Sequence, residues 1–235
     1  MYLMNNKIYI LMMIMMSCTP STRVVFLGDS ITELADNKEG EGTYTGFLTL
    51  LRENVGQKIE LINKGISGDK VSDLLIRYQT DVIELNPDIV FIYIGINDVW
   101  HKYGTGTGTD IDFYEKGLRK IITDIQSLGA KIILCTPTVI GENKGAFELV
   151  NHFKDVDTMD RMNHDLDAFS NVVRNLSLEL NIELLDLRNK FMNYLSQNNP
   201  ENHSKGILTY DGVHLNHNGN QFIADEMIKF LKEIE

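Results

Sequence analysis

The sequence predicts an α/β domain, a five-stranded parallel sheet held between two layers of helices, and three observations carry that expectation. From Pro20 onward, short β-branched runs alternate with longer amphipathic segments, the pattern of repeated strand and helix units around a parallel sheet. The apolar runs are unbroken rather than alternating, which calls for burial on both faces, as in sheets covered by helices on each side. A chain of 235 residues, 43% of them hydrophobic, suffices for one globular domain with a sizeable core and needs no second one.

The first strand is the run Val24 to Leu27, closed by Gly28. The others are Ile59 to Ile62, Ile89 to Ile94, Ile132 to Cys135 and Glu183 to Asp186. Between them lie the helical segments Tyr44 to Asn54, Val71 to Leu85, Phe113 to Leu128 and Met159 to Leu180; in the third, Leu118, Ile121, Ile122 and Ile125 recur at helical spacing. Gln221 to Ile234 is the closing helix. Two stretches have no clear period and are expected as long loops: the alternating Gly-Thr run Gly104 to Thr109, expected to be mobile, and Gly141 to Asp157. In open α/β sheets ligands bind beyond the carboxyl ends of the strands, so both loops are placed to border a site.

A net charge of −11 and a pI near 5.0 argue against a polyphosphate or nucleic-acid partner, which Lys and Arg must neutralise, and favour a neutral or cationic substrate. The two cysteines, Cys18 and Cys135, rule out a disulfide framework, and Cys135 within Lys131-Ile132-Ile133-Leu134-Cys135 reads as a buried inert thiol. Ile8 to Met16 is an apolar stretch preceded by Lys7 and followed by Ser17-Cys18, the outline of an export signal. It is shorter than the roughly 20 apolar residues a membrane span requires. The expected division is therefore a signal peptide over residues 1–17 and one domain over 18–235. Ile14-Met15-Met16-Ser17-Cys18 resembles a bacterial lipoprotein signal, which makes Cys18 the lipidated residue and anchors the protein in the cell envelope; Met15 stands where that pattern usually has Leu, and without the lipid the exported protein is periplasmic or secreted.

Ser30 lies in Gly28-Asp29-Ser30-Ile31-Thr32, just after the first strand, and Asp211-Gly212-Val213-His214 lies near the other end of the chain. A hydroxyl is a weak nucleophile at neutral pH, so it needs an imidazole to take its proton and a carboxylate to fix the tautomer of that imidazole. Ser30, His214 and Asp211 supply those groups, with Asp211 and His214 able to share one side of a turn. Read alone, Asp29-Ser30 is equally a helix cap and Asp211 to His214 a surface turn. The pentapeptide is not the Gly-x-Ser-x-Gly elbow of α/β-hydrolases. Asp211, His214 and His217 also have the spacing of metal ligands, but a zinc site leaves the remaining motifs without a role, so no metal or cofactor is expected. Gly104 to Thr109 fits neither dinucleotide nor Walker patterns. His101, His152, His164 and His203 have no partner evident in the sequence.

Taken in order, Gly28-Asp29-Ser30, Asn63 to Gly68, Gly95-Ile96-Asn97-Asp98 and Asp211 to His214 resemble the motif series of the SGNH, or GDSL, hydrolases, and the likeness runs from Arg23 to the C-terminus. The resemblance implies a flavodoxin-like three-layer α/β/α fold and hydrolysis of carboxylic esters. It makes Ser30 the nucleophile, His214 the general base and Asp211 its orienting acid. It also assigns an oxyanion hole to the backbone N–H of Ser30, the backbone N–H of Gly68 and the side-chain amide of Asn97. Gly95 is expected to serve close packing, while Trp100, His101 and Tyr103 either line the substrate pocket or form a packing edge. Family substrates span lysophospholipids, thioesters, short esters and acetylated carbohydrates. With no apolar lid evident, short acyl groups, acetyl in particular, are expected, and a glycan- or lipid-binding protein without catalysis is the competing class.

Overall fold

The computed structural model of the chain describes residues 21–38, 44–143 and 156–232. Its sheet has five parallel strands: β1 (Thr22–Gly28), β2 (Ile59–Gly65), β3 (Ile89–Tyr93), β4 (Lys131–Cys135) and β5 (Glu183–Leu185), in the order β2-β1-β3-β4-β5. Every expected strand is present, with ends shifted by up to three residues; β2 runs on to Gly65, β3 stops at Tyr93, and Asp186 leaves the fifth strand to cap a helix. Val24, Val25, Leu27, Val90, Ile92 and Ile133 are almost wholly shielded from solvent, which accounts for unbroken apolar strands in a sheet covered on both sides.

Helices α1 (Ser30–Glu33), α2 (Phe47–Asn54), α3 (Val71–Asp81), α4 (Ile96–Gly104), α5 (Ile111–Gln126), α6 (Val156–Leu180), α7 (Leu187–Asn198) and α8 (His217–Leu231) connect the strands and close the fold. On one face of the sheet, stacked Phe26 and Phe91 meet Phe47 of α2 and Phe230 of α8, and Phe191 of α7 packs edge-on against Phe222 of α8. On the other, α5 packs between α3 and α6, with Tyr114 against Phe169.

Two helices were not expected from the sequence. Helix α4 starts within a motif that reads as the end of a strand, and α7 follows β5 with no loop between, its Asp186 carboxylate accepting the Asn189 N–H as an N-cap. Two loop expectations are also corrected. Helix α6 already runs at Val156, inside the stretch expected as loop to Asp157; residues 144–155 of that stretch lie outside the described residues. The Gly-Thr run is not a free loop: its Thr107 and Thr109 N–H groups bond to the carbonyls of His101 and Asp98, and a Cβ at Gly108 would lie 2.4 Å from the Lys102 backbone nitrogen. The buried thiol expected at Cys135 is found, and burial pushes its ionisation far above the ordinary thiol range. The signal segment and Cys18 fall outside the described residues.

Candidate active site

Strand β1 is flanked by β2 and β3, so the chain leaves it in one direction for β2 and crosses in the other for β3. Such a reversal of strand order opens a crevice at the carboxyl ends of the strands. Register places Gly28 level with Gly65 of β2 and Tyr93 of β3, so the segments after all three strands, carrying Ser30, Gly68 and Asn97, emerge at one edge.

Asp29 caps α1 through its carboxylate, which accepts the Ile31 N–H at 3.0 Å, and Ser30 is the first residue of the helix. The cap and the nucleophile are therefore not rival readings of this motif. The cap fixes the turn that presents the Ser30 hydroxyl, and the Ser30 N–H, having no intrahelical acceptor, is left for another partner.

Ser30 Oγ lies 2.9 Å from His214 Nε2, across 184 residues of sequence. His214 Nδ1 lies 2.7 Å from Asp211 Oδ2, while the other carboxylate oxygen accepts the N–H groups of Val213 and His214 at 2.9 and 2.7 Å. The carboxylate thus organises both the turn and the ring it carries. An acceptor at Nδ1 assigns the imidazole proton there, leaving Nε2 with a lone pair directed at the serine hydroxyl.

Gly68 has φ +85°, and nothing lies within 4 Å of where its Cβ would stand, so its backbone is both left-handed and open to an approaching ligand. Asn97 sits in the first turn of α4 and donates one amide hydrogen to the Asp69 carbonyl at 3.1 Å, which orients the amide and leaves its second hydrogen available. The sharp entry to α4 needs φ +134° at Gly95, where a Cβ would press to 2.9 Å from the Tyr114 hydroxyl. Close packing is therefore its role, as the sequence indicated. Ser30, Ser67, Gly68, Asn97, Trp100, His101, Val213 and His214 line a cleft of about 300 Å³. Tyr103 is not among them: its hydroxyl donates to Asp165. A larger cavity of about 440 Å³, bordered by Asn163, Asp167 and Arg188, contains none of the residues of this cleft.

Burial alone would disfavour the charged forms of Asp211 and His214, but their mutual hydrogen bond and charge outweigh it: the His214 imidazolium is held above its ordinary range and the Asp211 carboxyl below its own. Asp29 adds to the His214 shift. Two further carboxyls are buried beside the cleft. Burial raises Asp29 to about 7, against the lowering effects of the Ile31 N–H and His214, and raises Asp98 to about 6. Asp98 accepts the Val71 N–H at 3.1 Å and so ties the start of α3 to α4.

Sequence reasoning missed Arg77. Its guanidinium bonds the Gly28 carbonyl at 2.9 Å, the Lys64 carbonyl at 2.9 Å and the carboxylates of Asp69 and Asp81, binding together the ends of β1 and β2 and the residue whose carbonyl orients Asn97. No sequence pattern marks its contacts to Gly28 and Lys64, because both acceptors are backbone carbonyls. Asn63, within the second motif, accepts the Gly65 N–H and donates to the Thr32 carbonyl. His217 is exposed at the start of α8, and no group of three metal-binding side chains occurs among the described residues. His164 and His203 are exposed; His152 lies outside the described residues.

A parallel sheet whose switch point gathers a hydrogen-bonded Ser, His and Asp beside converging donors defines a carboxylic ester hydrolase of the serine type. The chain belongs to the GDSL-like lipase/acylhydrolase family, whose sequence profile matches residues 26–222. Among its relatives is the acetylxylan esterase of Geobacillus stearothermophilus, 32% identical over 228 residues, covering 90% of this chain and 93% of that enzyme. The crystal structure of that enzyme superposes with a TM-score of 0.70, at 30% identity over 88% of this chain and 93% of the other. Its variants lacking a serine, an aspartate or a histidine side chain are described as catalytic mutants. The acetyl xylan esterase AlAXEase matches with a TM-score of 0.76 and 42% identity, covering 88% of this chain and 98% of that one.

Proposed function

We propose that this protein removes short acyl groups, acetyl above all, from acylated carbohydrates through an acyl-Ser30 intermediate. The observation that carries the reading is the continuous path from Ser30 Oγ through the His214 ring to the Asp211 carboxylate, at 2.9 and 2.7 Å. His214 Nε2 takes the hydroxyl proton as Ser30 Oγ attacks the ester carbonyl, and Asp211 holds the resulting imidazolium. Negative charge developing on the carbonyl oxygen is met by the N–H groups of Ser30 and Gly68 and the free amide hydrogen of Asn97, donors commonly worth about 3 to 4 kcal/mol each. The imidazolium returns its proton to the leaving alcohol. Water, deprotonated by His214, then releases the acid and regenerates Ser30.

Trp100 and Val213 are the apolar side chains lining the cleft beside Ser30, and the preference for acetyl is supported by the acetylxylan esterases to which the chain is similar. The carbohydrate part of the reading is supported by the two acetylxylan esterases to which the chain is similar. Turnover of nitrophenyl acetate, octanoate and palmitate, together with an acetylated xylooligosaccharide, tests both halves. The expected order is acetate first, with acetate release from the oligosaccharide. A maximum at palmitate points instead to a lipid substrate, and a folded protein inert on all four and unlabelled by a fluorophosphonate points to a binding protein.

The apolar stretch before Cys18 supports export with lipidation at that cysteine. In a bacterial host, incorporation of a palmitate analogue that Cys18→Ala abolishes is the expected result; unlabelled protein retained in the cytoplasm contradicts it.

A further inference from the structure

We propose that Glu142 is a positioning residue for this reaction, holding the loop that carries Asp211 and His214 in its productive place. The inference rests on the roles assigned to those two residues above. The loop spans Tyr210 to His214; it is closed at its base by an antiparallel bridge between Thr209 and Leu215, with the Tyr210 N–H donating to the His214 carbonyl at 2.9 Å. Glu142, buried at 5% exposure, reaches this base from the segment after β4. Its Oε1 accepts the N–H groups of Leu208 and Thr209 at 2.6 and 2.5 Å and the Thr209 hydroxyl at 2.8 Å, and its Oε2 accepts the Ile207 N–H at 2.8 Å.

The neighbouring Gly141 N–H bonds the Gly212 carbonyl at 2.8 Å, at the tip of the same loop. Two consecutive residues therefore hold the loop at base and tip. Three successive N–H groups aimed at one carboxylate leave the 207–209 backbone little freedom to shift. His214 follows that anchor by five residues and must keep Nε2 within hydrogen-bond reach of Ser30, where a displacement near 1 Å costs roughly a hundredfold in rate. Glu142 has no place in proton transfer and acts only through the loop.

Glu142→Gln keeps the side-chain shape but turns an amide NH2 toward backbone donors. For that variant, with active sites counted by fluorophosphonate titration, we expect kcat on nitrophenyl acetate about tenfold to a hundredfold lower and KM within about twofold of wild type. The far-downfield proton resonance of the His214–Asp211 hydrogen bond should move or broaden. Thr209→Val removes one of the four donors without emptying the core, and should show a smaller fall in kcat with the same spectral change. It decides the matter should Glu142→Gln not fold. Wild-type kcat per titrated site and an unmoved resonance in either folded variant, whatever the loss of melting temperature, would overturn the proposal. Loss of activity in His214→Ala alongside that result leaves the catalytic assignment standing; full activity in His214→Ala removes the assignment itself.

Discussion

At the residue scale, the Asp211, His214 and Ser30 contacts set how large each loss should be. Ser30→Ala and His214→Ala are expected to lower kcat to near background with the fold intact by circular dichroism. Asp211→Asn keeps the turn but offers an amide where Nδ1–H needs an acceptor, and a fall of about 10⁴-fold in kcat is expected from the wrong tautomer. Wild-type turnover in any of the three takes that residue out of the mechanism. As the proposed general base, His214 must be neutral to act, and its imidazolium is held above its ordinary range, so kcat/KM should fall on acidification with a midpoint above 6.5. A midpoint below that value would mean that Asp211 does not govern the ring.

Asp29 makes a separate prediction. Burial raises its carboxyl to about 7 from 3.8, so the folded state holds a proton that the unfolded chain releases. Its contribution to stability is fully present below pH 4 or so and is lost as the pH rises through about 7, where a buried anion remains. Asp29→Asn, still able to accept from Ile31 N–H, should therefore raise the melting temperature more at pH 8 than at pH 5. Because the Asp29 charge also helps to raise His214, the acid limb of kcat/KM in this variant should move to lower pH. Equal melting gains at both pH values, or an unmoved limb, contradict this electrostatic account.

At the scale of elements, the ends of β1 and β2 and the turn before α3 are held by one guanidinium. Arg77→Lys keeps a charge but loses the planar fork that reaches two carbonyls and two carboxylates at once, and a stability loss of about 1 to 3 kcal/mol is expected. Denaturant titration checks it, and a variant as stable as wild type would leave Arg77 without the role described. Such contacts explain what the sequence could and could not reveal. Strands β1, β3 and β4 were legible because burial on both faces writes an unbroken apolar run, whereas the edge strands β2 and β5 are only partly buried and carry Glu60 and Glu183. The motifs carrying Ser30, Gly68 and Asn97 were legible because each follows a strand, and Asp211 to His214 because its spacing resembles the last motif of the family. Helix α4 was not: its first turn is occupied by Asn97 and Asp98, whose polarity reads as a turn although both are buried. Leu187, Phe191 and Leu195 do mark α7 at helical spacing, yet their onset directly after β5 leaves no loop to announce a new element. The anchoring roles of Arg77 and Glu142 were hidden for another reason: they bond to backbone groups, and backbone geometry has no letter in the sequence.

At the scale of the whole molecule, the site draws on four regions that only the complete fold brings together: the end of β1, the turn after β2, the start of α4 and the loop before α8. Activity and far-UV dichroism should accordingly vanish in one denaturant transition; activity lost well before the helices would mean that the site opens on its own. The net charge of −11 fits a substrate such as a neutral acylated sugar, which brings no phosphate to be neutralised. The most direct test is covalent. After reaction with a fluorophosphonate, peptide mass spectrometry should place the adduct on Ser30 alone, and both His214→Ala and Ser30→Ala should suppress it. An adduct on another residue, or undiminished labelling in Ser30→Ala, would contradict the account.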